Sequence, residues 1–230
     1  MYNGKTVLIT GVSRGVGQML SRHFLSNNAT VIGFGKSNVM AFDCSCYVQC
    51  DLSETSDIIT AFARIKEYDI DITINNAAVL TSQYALKIPI EALSAMVNVD
   101  LLAPFLVARE SAKLMKNGGR IINISSMAVA LEPMGDSMYA ACKAGLNKMS
   151  NIMAKEFAFM DITVNTLAIS AIETDMLKQL NREKVDKVVA GLPIPRYATM
   201  DDITNVIDFF CSEKSNYITA QTIYLGGVHA

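Results

Sequence analysis

Short apolar runs rich in β-branched residues alternate along this chain with longer segments whose apolar residues recur at helical spacing. The short runs predict strands over 5–10, 30–34, 46–50, 70–75, 119–125, 162–167 and 222–225. The helical segments fall near 16–26, 56–66, 90–116, 139–159 and 201–211. The strands read as almost unbroken apolar runs, as a sheet covered on both faces requires. The pattern therefore predicts an α/β fold: a doubly wound parallel sheet of about seven strands with helices on both faces. No repeat, low-complexity tract or linker interrupts it, so residues 1–230 are read as a single domain. The segment 174–197 stands apart. It is polar and charged, then carries Pro193 and Pro195, and it predicts a mobile loop with short helices that caps a site.

Composition narrows the classes. The chain is 51% hydrophobic and 18% charged, with ample material for a core, and its formal net charge of -2 lacks the basic excess of a nucleic-acid binder. No window holds 18 or more consecutive apolar residues and no signal-peptide pattern opens the chain, so a cytoplasmic protein with no membrane partner is expected. Five cysteines, an odd number, do not suggest a disulfide framework. Cys44, Cys46 and Cys50 lack a second pair at zinc spacing, and neither His23 nor His229 is near them in sequence. They read as buried free thiols, with no metal site.

Three local patterns carry chemistry. The first strand ends in Thr10-Gly11-Val12-Ser13-Arg14-Gly15-Val16-Gly17 and passes directly into a helix. Glycines there let backbone amides and the helix N-terminus approach a pyrophosphate, although a packing turn would look similar. The second strand ends in Gly33-Phe34-Gly35-Lys36-Ser37. An acid at this point would suit the ribose 2′-hydroxyl of NAD. Instead Lys36, with Arg14 nearby, suits the 2′-phosphate of NADP, so NADP(H) is preferred and NAD(H) is the alternative. Finally, Tyr139 and Lys143 are four residues apart on one predicted helix face. An ammonium beside a phenol favours the phenolate, which would bring Tyr139 below the ordinary value of about 10 and suit it to proton exchange. The spacing alone describes a solvated helix face equally well.

Taken together, these segments resemble the short-chain dehydrogenase/reductase family, whose fold is the Rossmann type, over essentially the whole chain. Cys50-Asp51-Leu52, Asn75-Asn76-Ala77-Ala78, Asn98 and Ile122-Asn123-Ile124-Ser125-Ser126 match further family elements in order. The final third, with Thr163-Val164-Asn165, Ile172-Glu173-Thr174-Asp175-Met176, Pro193-Ile194-Pro195-Arg196 and Gly226-Gly227, is similar to the beta-ketoacyl-carrier-protein reductases within it.

The resemblance implies catalytic residues Asn98, Ser126, Tyr139 and Lys143, with Ser126 preferred to Ser125 for its family spacing to Tyr139. It implies a cofactor held by Gly11, Ser13, Arg14, Gly15, Val16, Gly17, Lys36, Ser37, Asp51, Leu52, Asn75, Ala77, Ile172 and Thr174, together with Tyr139 and Lys143. Asp51 would meet the adenine, Asn98 a water beside Lys143, and Thr174 the carboxamide. The activity implied is reduction of a ketone or beta-ketoacyl group, the substrate being a small carbonyl or one bound to an acyl carrier. An oxidative alcohol or sugar dehydrogenase is the first alternative, and a non-catalytic dinucleotide sensor that kept the fold is the second. A homodimer or homotetramer is implied as well. Three departures stand out: Ile169-Ser170 where the family commonly has Pro-Gly, Ala78 for a glycine, and Ala220 where relatives usually have glycine.

Overall fold

The computed structural model describes residues 2–38 and 43–228. His229 lies outside them. Seven parallel strands form one sheet in the order β3-β2-β1-β4-β5-β6-β7. They are β1 (Thr6–Thr10), β2 (Thr30–Gly35), β3 (Cys46–Gln49), β4 (Ile72–Asn75), β5 (Gly119–Ser126), β6 (Ile162–Ile169) and β7 (Thr222–Tyr224). The chain runs outward from β1 to β3, then returns to the other side of β1 for β4. That reversal opens a crevice at the carboxyl ends of β1 and β4, where open α/β sheets bind ligands.

Successive strand residues are apolar on both sides, so each face makes its own core. Leu8, Ile32, Phe34, Val48, Ile121 and Val164 pack under one helical layer, and Val7, Ile9, Val31, Ile74, Ile122 and Leu167 under the other. The helices are α1 (Gly15–Ser26), α2 (Thr55–Arg64), α3 (Ile90–Val97), α4 (Ala103–Ala112), α5 (Ala128–Leu131), α6 (Ser137–Glu156), α7 (Arg182–Ala190) and α8 (Met200–Cys211). α1 and α8 cover the second core; α2, α4 and α6 cover the first.

The predicted helix over 90–116 is shorter and not uniform. It ends at Ala112, and a π-helical turn over Asn98–Leu102 joins α3 to α4. Pro104 supplies the reason. It has no amide to donate and its ring crowds the carbonyl four residues earlier, at Asp100, so the turn widens just before it. The whole of Ile90–Ala112 is long and apolar enough to cross a membrane by length and composition. In this fold its buried residues Ala103, Leu106, Val107 and Ala112 belong to the core beneath α2 and the sheet.

The segment 174–197 contains α7 and a 3-10 turn, and its Leu192 is buried beside Gly226. The cysteines are free; Cys50 and Cys142 are buried, whereas Cys44, Cys46 and Cys211 are half-buried. Ala220 adopts φ +59, the left-handed region that glycine enters without a Cβ penalty.

Candidate active site

The carboxyl ends of β1 and β4 are tied together first. The Thr10 hydroxyl accepts from the amides of Asn76 and Ala77, each at 3.0 Å, and Asn76 Nδ2 donates to the Thr10 carbonyl at 2.9 Å. Gly11 (φ +74) and Gly15 (φ +58) take left-handed conformations that turn the chain into α1. Ser13 and Arg14 form the arc between them, and Val16 and Gly17 are buried in the first turn of α1. A Cβ on Gly17 would collide with the Gly11 carbonyl and the Asn76 amide, so Gly17 serves close packing of helix on strand. The side-chain-free arc at a helix N-terminus suits a phosphate group. Thr174 closes over it, within 3.6 Å of where a Gly15 Cβ would stand. Thr174 donates to the Ile172 carbonyl at 3.4 Å, and Ile172 is buried and bridged to Ala198.

Asn75 is one of the residues expected at the cofactor. Its side chain, 3% exposed, faces the interior and donates to Asn123 Oδ1 at 2.7 Å and to the Pro104 carbonyl at 3.2 Å. Asn123 in turn donates to Ser150 and Ser150 to the Leu146 carbonyl, both at 2.7 Å, so Asn75 begins a buried chain joining β4, β5 and α6. The amide beside the turn is Asn76. Side chains alternate along a strand, so of two adjacent asparagines one must face away from the site.

At the end of β2, Lys36 is 78% exposed and its ammonium lies 2.6 Å from Asp51 Oδ2. Asp51 also accepts from the Ser53 amide and hydroxyl. Burial works to raise the Asp51 carboxyl, but the bonds from Lys36 and Ser53 outweigh it and hold the group below its ordinary value. The bond to Asp51 raises Lys36 in return. Ser37 offers its carbonyl to the Tyr47 hydroxyl at 2.6 Å, and Leu52 is buried in the core. The two residues expected at opposite parts of an adenosine therefore touch each other.

The helical spacing of Tyr139 and Lys143 brings both, buried, to one face of α6 under the end of β5. Lys143 Nζ is 5.7 Å from the centre of the Tyr139 ring and donates to the Ile124 carbonyl at 3.1 Å. The Tyr139 hydroxyl is hydrogen-bonded to Ser126, which also accepts from the Ala128 amide at 3.1 Å. Ser125 is buried and directed at the Lys143 carbonyl at 3.5 Å. Ser126, Tyr139 and Lys143 thus form one cluster.

Two expectations bear on this cluster. Asn98 does not join it: its amide donates to the Ser53 carbonyl at 3.3 Å, toward the β3–α2 loop. Two residues on, across the widened π turn, Asp100 takes the place beside Lys143, 3.7 Å from Nζ and 0% exposed, accepting from the Val79 amide at 3.1 Å. Nor is Tyr139 pulled down by the lysine. Burial drives its pKa above the ordinary value and the Asp100 charge adds to this; the Ser126 hydrogen bond opposes and Asp136 reinforces. Burial likewise lifts Asp100 to about 6, although Lys143 and the Val79 amide act to lower it.

A phenol, a hydroxyl and a buried cation at the carboxyl edge of a doubly wound sheet, on the same edge as a bare glycine turn, are the groups that an oxidoreductase site of the Rossmann type needs. The sequence profile described as enoyl-(acyl carrier protein) reductase matches residues 11–229. The chain belongs to the short-chain dehydrogenase/reductase family and is an oxidoreductase. It is 32% identical over 234 residues to the 3-oxoacyl-(acyl-carrier-protein) reductase FabG of Rickettsia bellii, covering 98% of this chain and 96% of that one. Among solved structures, a blue fluorescent protein from a metagenomic library in complex with NADPH superposes with a TM-score of 0.90 at 25% identity, over 99% of both chains. A short-chain dehydrogenase from Burkholderia cenocepacia in complex with NADP has a TM-score of 0.91 over 98% of both chains; at 24% identity it speaks for the fold.

Proposed function

We propose that this chain is an NADPH-dependent reductase that converts a ketone or 3-oxoacyl group to an alcohol, with Tyr139 as proton donor. The observation that carries the reading is the cluster of half-buried Ser126 with buried Tyr139 and Lys143 under β5, at the same carboxyl edge of the sheet as the Gly11–Gly17 turn. The residues fit a dinucleotide: the bare turn and the α1 N-terminus would hold its phosphates, Lys36 and Arg14 a 2′-phosphate, Asp51 the adenine side and Thr174 the nicotinamide side. When bound, such a cofactor supplies the hydride.

The chain's own groups do the rest. Ser126 orients the carbonyl oxygen and stabilises its developing charge. Tyr139, kept protonated at neutral pH by its burial, is already the acid that reduction needs. Lys143 places a positive charge beneath both. The name of the Rickettsia relative supports a 3-oxoacyl thioester as one substrate class. Among the cations available to an acidic carrier near the lid, Lys178, Arg182, Lys187 and Arg196 are engaged by Asp175, Glu173, Glu183 and Asp202, and Lys184 lies over the Tyr84 ring. The acyl group is therefore favoured over the carrier surface as the recognised part. Exposed Leu102, Phe105 and Ile152 on the α4 and α6 layer support contact between subunits of a homodimer or homotetramer. The same reading takes the enzyme to be cytoplasmic.

The test is NADPH oxidation against a panel of ketones and 3-oxoacyl thioesters, run in parallel with NADH. Turnover of a carbonyl with NADPH favoured is expected. Tight NADPH binding with no turnover of any carbonyl or alcohol would instead support a sensor.

A further inference from the structure

Among the described residues Asp100 is the only acid that is fully buried. Burying a carboxylate is costly unless a cation and hydrogen bonds compensate. Its compensation is partial: Oδ1 has the Val79 amide and, at 3.7 Å, the Lys143 ammonium, while Oδ2 has no hydrogen-bond partner. Lys143 is itself 2% exposed, and beyond Asp100 its charge meets the Ile124 carbonyl and the Tyr139 ring. One desolvated space therefore contains a cation, an anion and a phenol. Alone, the cation would draw Tyr139 toward phenolate; paired with an anion in contact, it loses most of that pull.

We propose that Asp100 is a positioning residue for the proton donor: it neutralises Lys143 in place and keeps Tyr139 in the phenol form that carbonyl reduction consumes. The proposal rests on the reductase reading for its purpose, whereas the charge coupling stands on the geometry alone. The other groups acting on the cluster are few. α6 contributes Cys142, whose thiol is raised by burial and by Asp100, and Asp136 at its N-terminus, the second carboxylate acting on Tyr139. β5 contributes the Ser125 and Ser126 hydroxyls and the Ile124 carbonyl, the loop after β4 the Val79 amide, and the π turn itself the uncharged Asn98.

The test reads Tyr139 directly. Protein labelled with carbon-13 at the tyrosine ζ position is titrated by NMR as wild type, Asp100→Asn and Asp136→Asn, with Tyr139→Phe used to assign the signal. In Asp100→Asn the Tyr139 signal should ionise about one pH unit or more below wild type, and Asp136→Asn should move it less. The alkaline limb of the carbonyl-reduction profile should move down with it. Should Asp100→Asn not fold, Asp100→Ser removes the same charge and carries the same expectation. A Tyr139 titration unmoved by either Asp100 variant, or moved as far by Asp136→Asn, overturns the proposal. Turnover without a shift defeats this inference alone; a shift without turnover upholds the coupling and defeats only the reductase reading.

Discussion

Gly17→Ala should destabilise the protein by about 3 kcal/mol, despite replacing a helical glycine with the best helix former. Gly17 sits in the first turn of α1 with ordinary backbone angles, so the obstacle is space. An added Cβ would lie inside the contact distance of the Gly11 carbonyl oxygen and the Asn76 amide, with the Gly11 carbonyl carbon at 2.9 Å. Backbone cannot rotate away as a side-chain tip can. The helix must lift, which strains the packing by about 1–3 kcal/mol. It also pulls Asn76 off the Thr10 and Gly11 carbonyls, at about 1–3 kcal/mol for buried groups left unpaired. Helix propensity returns about 1 kcal/mol. Gly145→Ala in α6 is the control, because its Cβ would meet only the movable Leu101 side-chain tip at 3.2 Å. That variant should be neutral or more stable by up to about 1 kcal/mol. Urea unfolding at constant slope measures both, with a melting-point loss of about 6–12 °C for Gly17→Ala. A Gly17→Ala protein as stable as Gly145→Ala would refute the argument that the turn and helix are in backbone contact.

Asp100 makes stability pH-dependent. Its folded pKa of about 6 exceeds the unfolded value of 3.8, so its contribution is fully present below the unfolded value and is lost as pH rises through the folded one. A rise of about two units is worth about 3 kcal/mol, so unfolding free energies of wild type relative to Asp100→Asn should fall by that amount between about pH 4 and pH 7. A difference that stays flat with pH would show that the carboxyl is not perturbed. Ala220→Gly should stabilise by about 0.5–1 kcal/mol by relieving its left-handed backbone, less what glycine gains in the unfolded chain; a loss in urea midpoint would contradict this. Lys36→Ala should raise the KM for NADPH more than for NADH, and equal effects would remove Lys36 from the 2′-phosphate.

The sheet was legible because every strand is covered twice, which writes continuous apolar runs into the sequence. Element order and all seven strands follow from that pattern, with ends shifted by a residue or two. The glycine turn and the Tyr139–Lys143 spacing were legible for the same reason: they are local. The rest is tertiary. Asn75 and Asn76 alternate across a strand, and nothing in the two letters tells which faces the core. Asn98 was chosen through resemblance, whereas the acid two residues later stood in an apolar helix where burial would be prohibitive without Lys143, a partner 43 positions away. Pro104 was the one visible sign that the helix must widen there. The pKa of Tyr139 went the other way because helical spacing reveals the neighbouring cation but neither the burial nor the opposing charge.

The central claim is that Tyr139 gives the proton in carbonyl reduction. Its most direct measurement is kcat for the best carbonyl substrate in Tyr139→Phe, alongside NADPH affinity and urea stability of the same variant. The account predicts a loss of about a hundredfold or more in kcat, with cofactor affinity and stability close to wild type. A variant that keeps wild-type kcat with NADPH would contradict it.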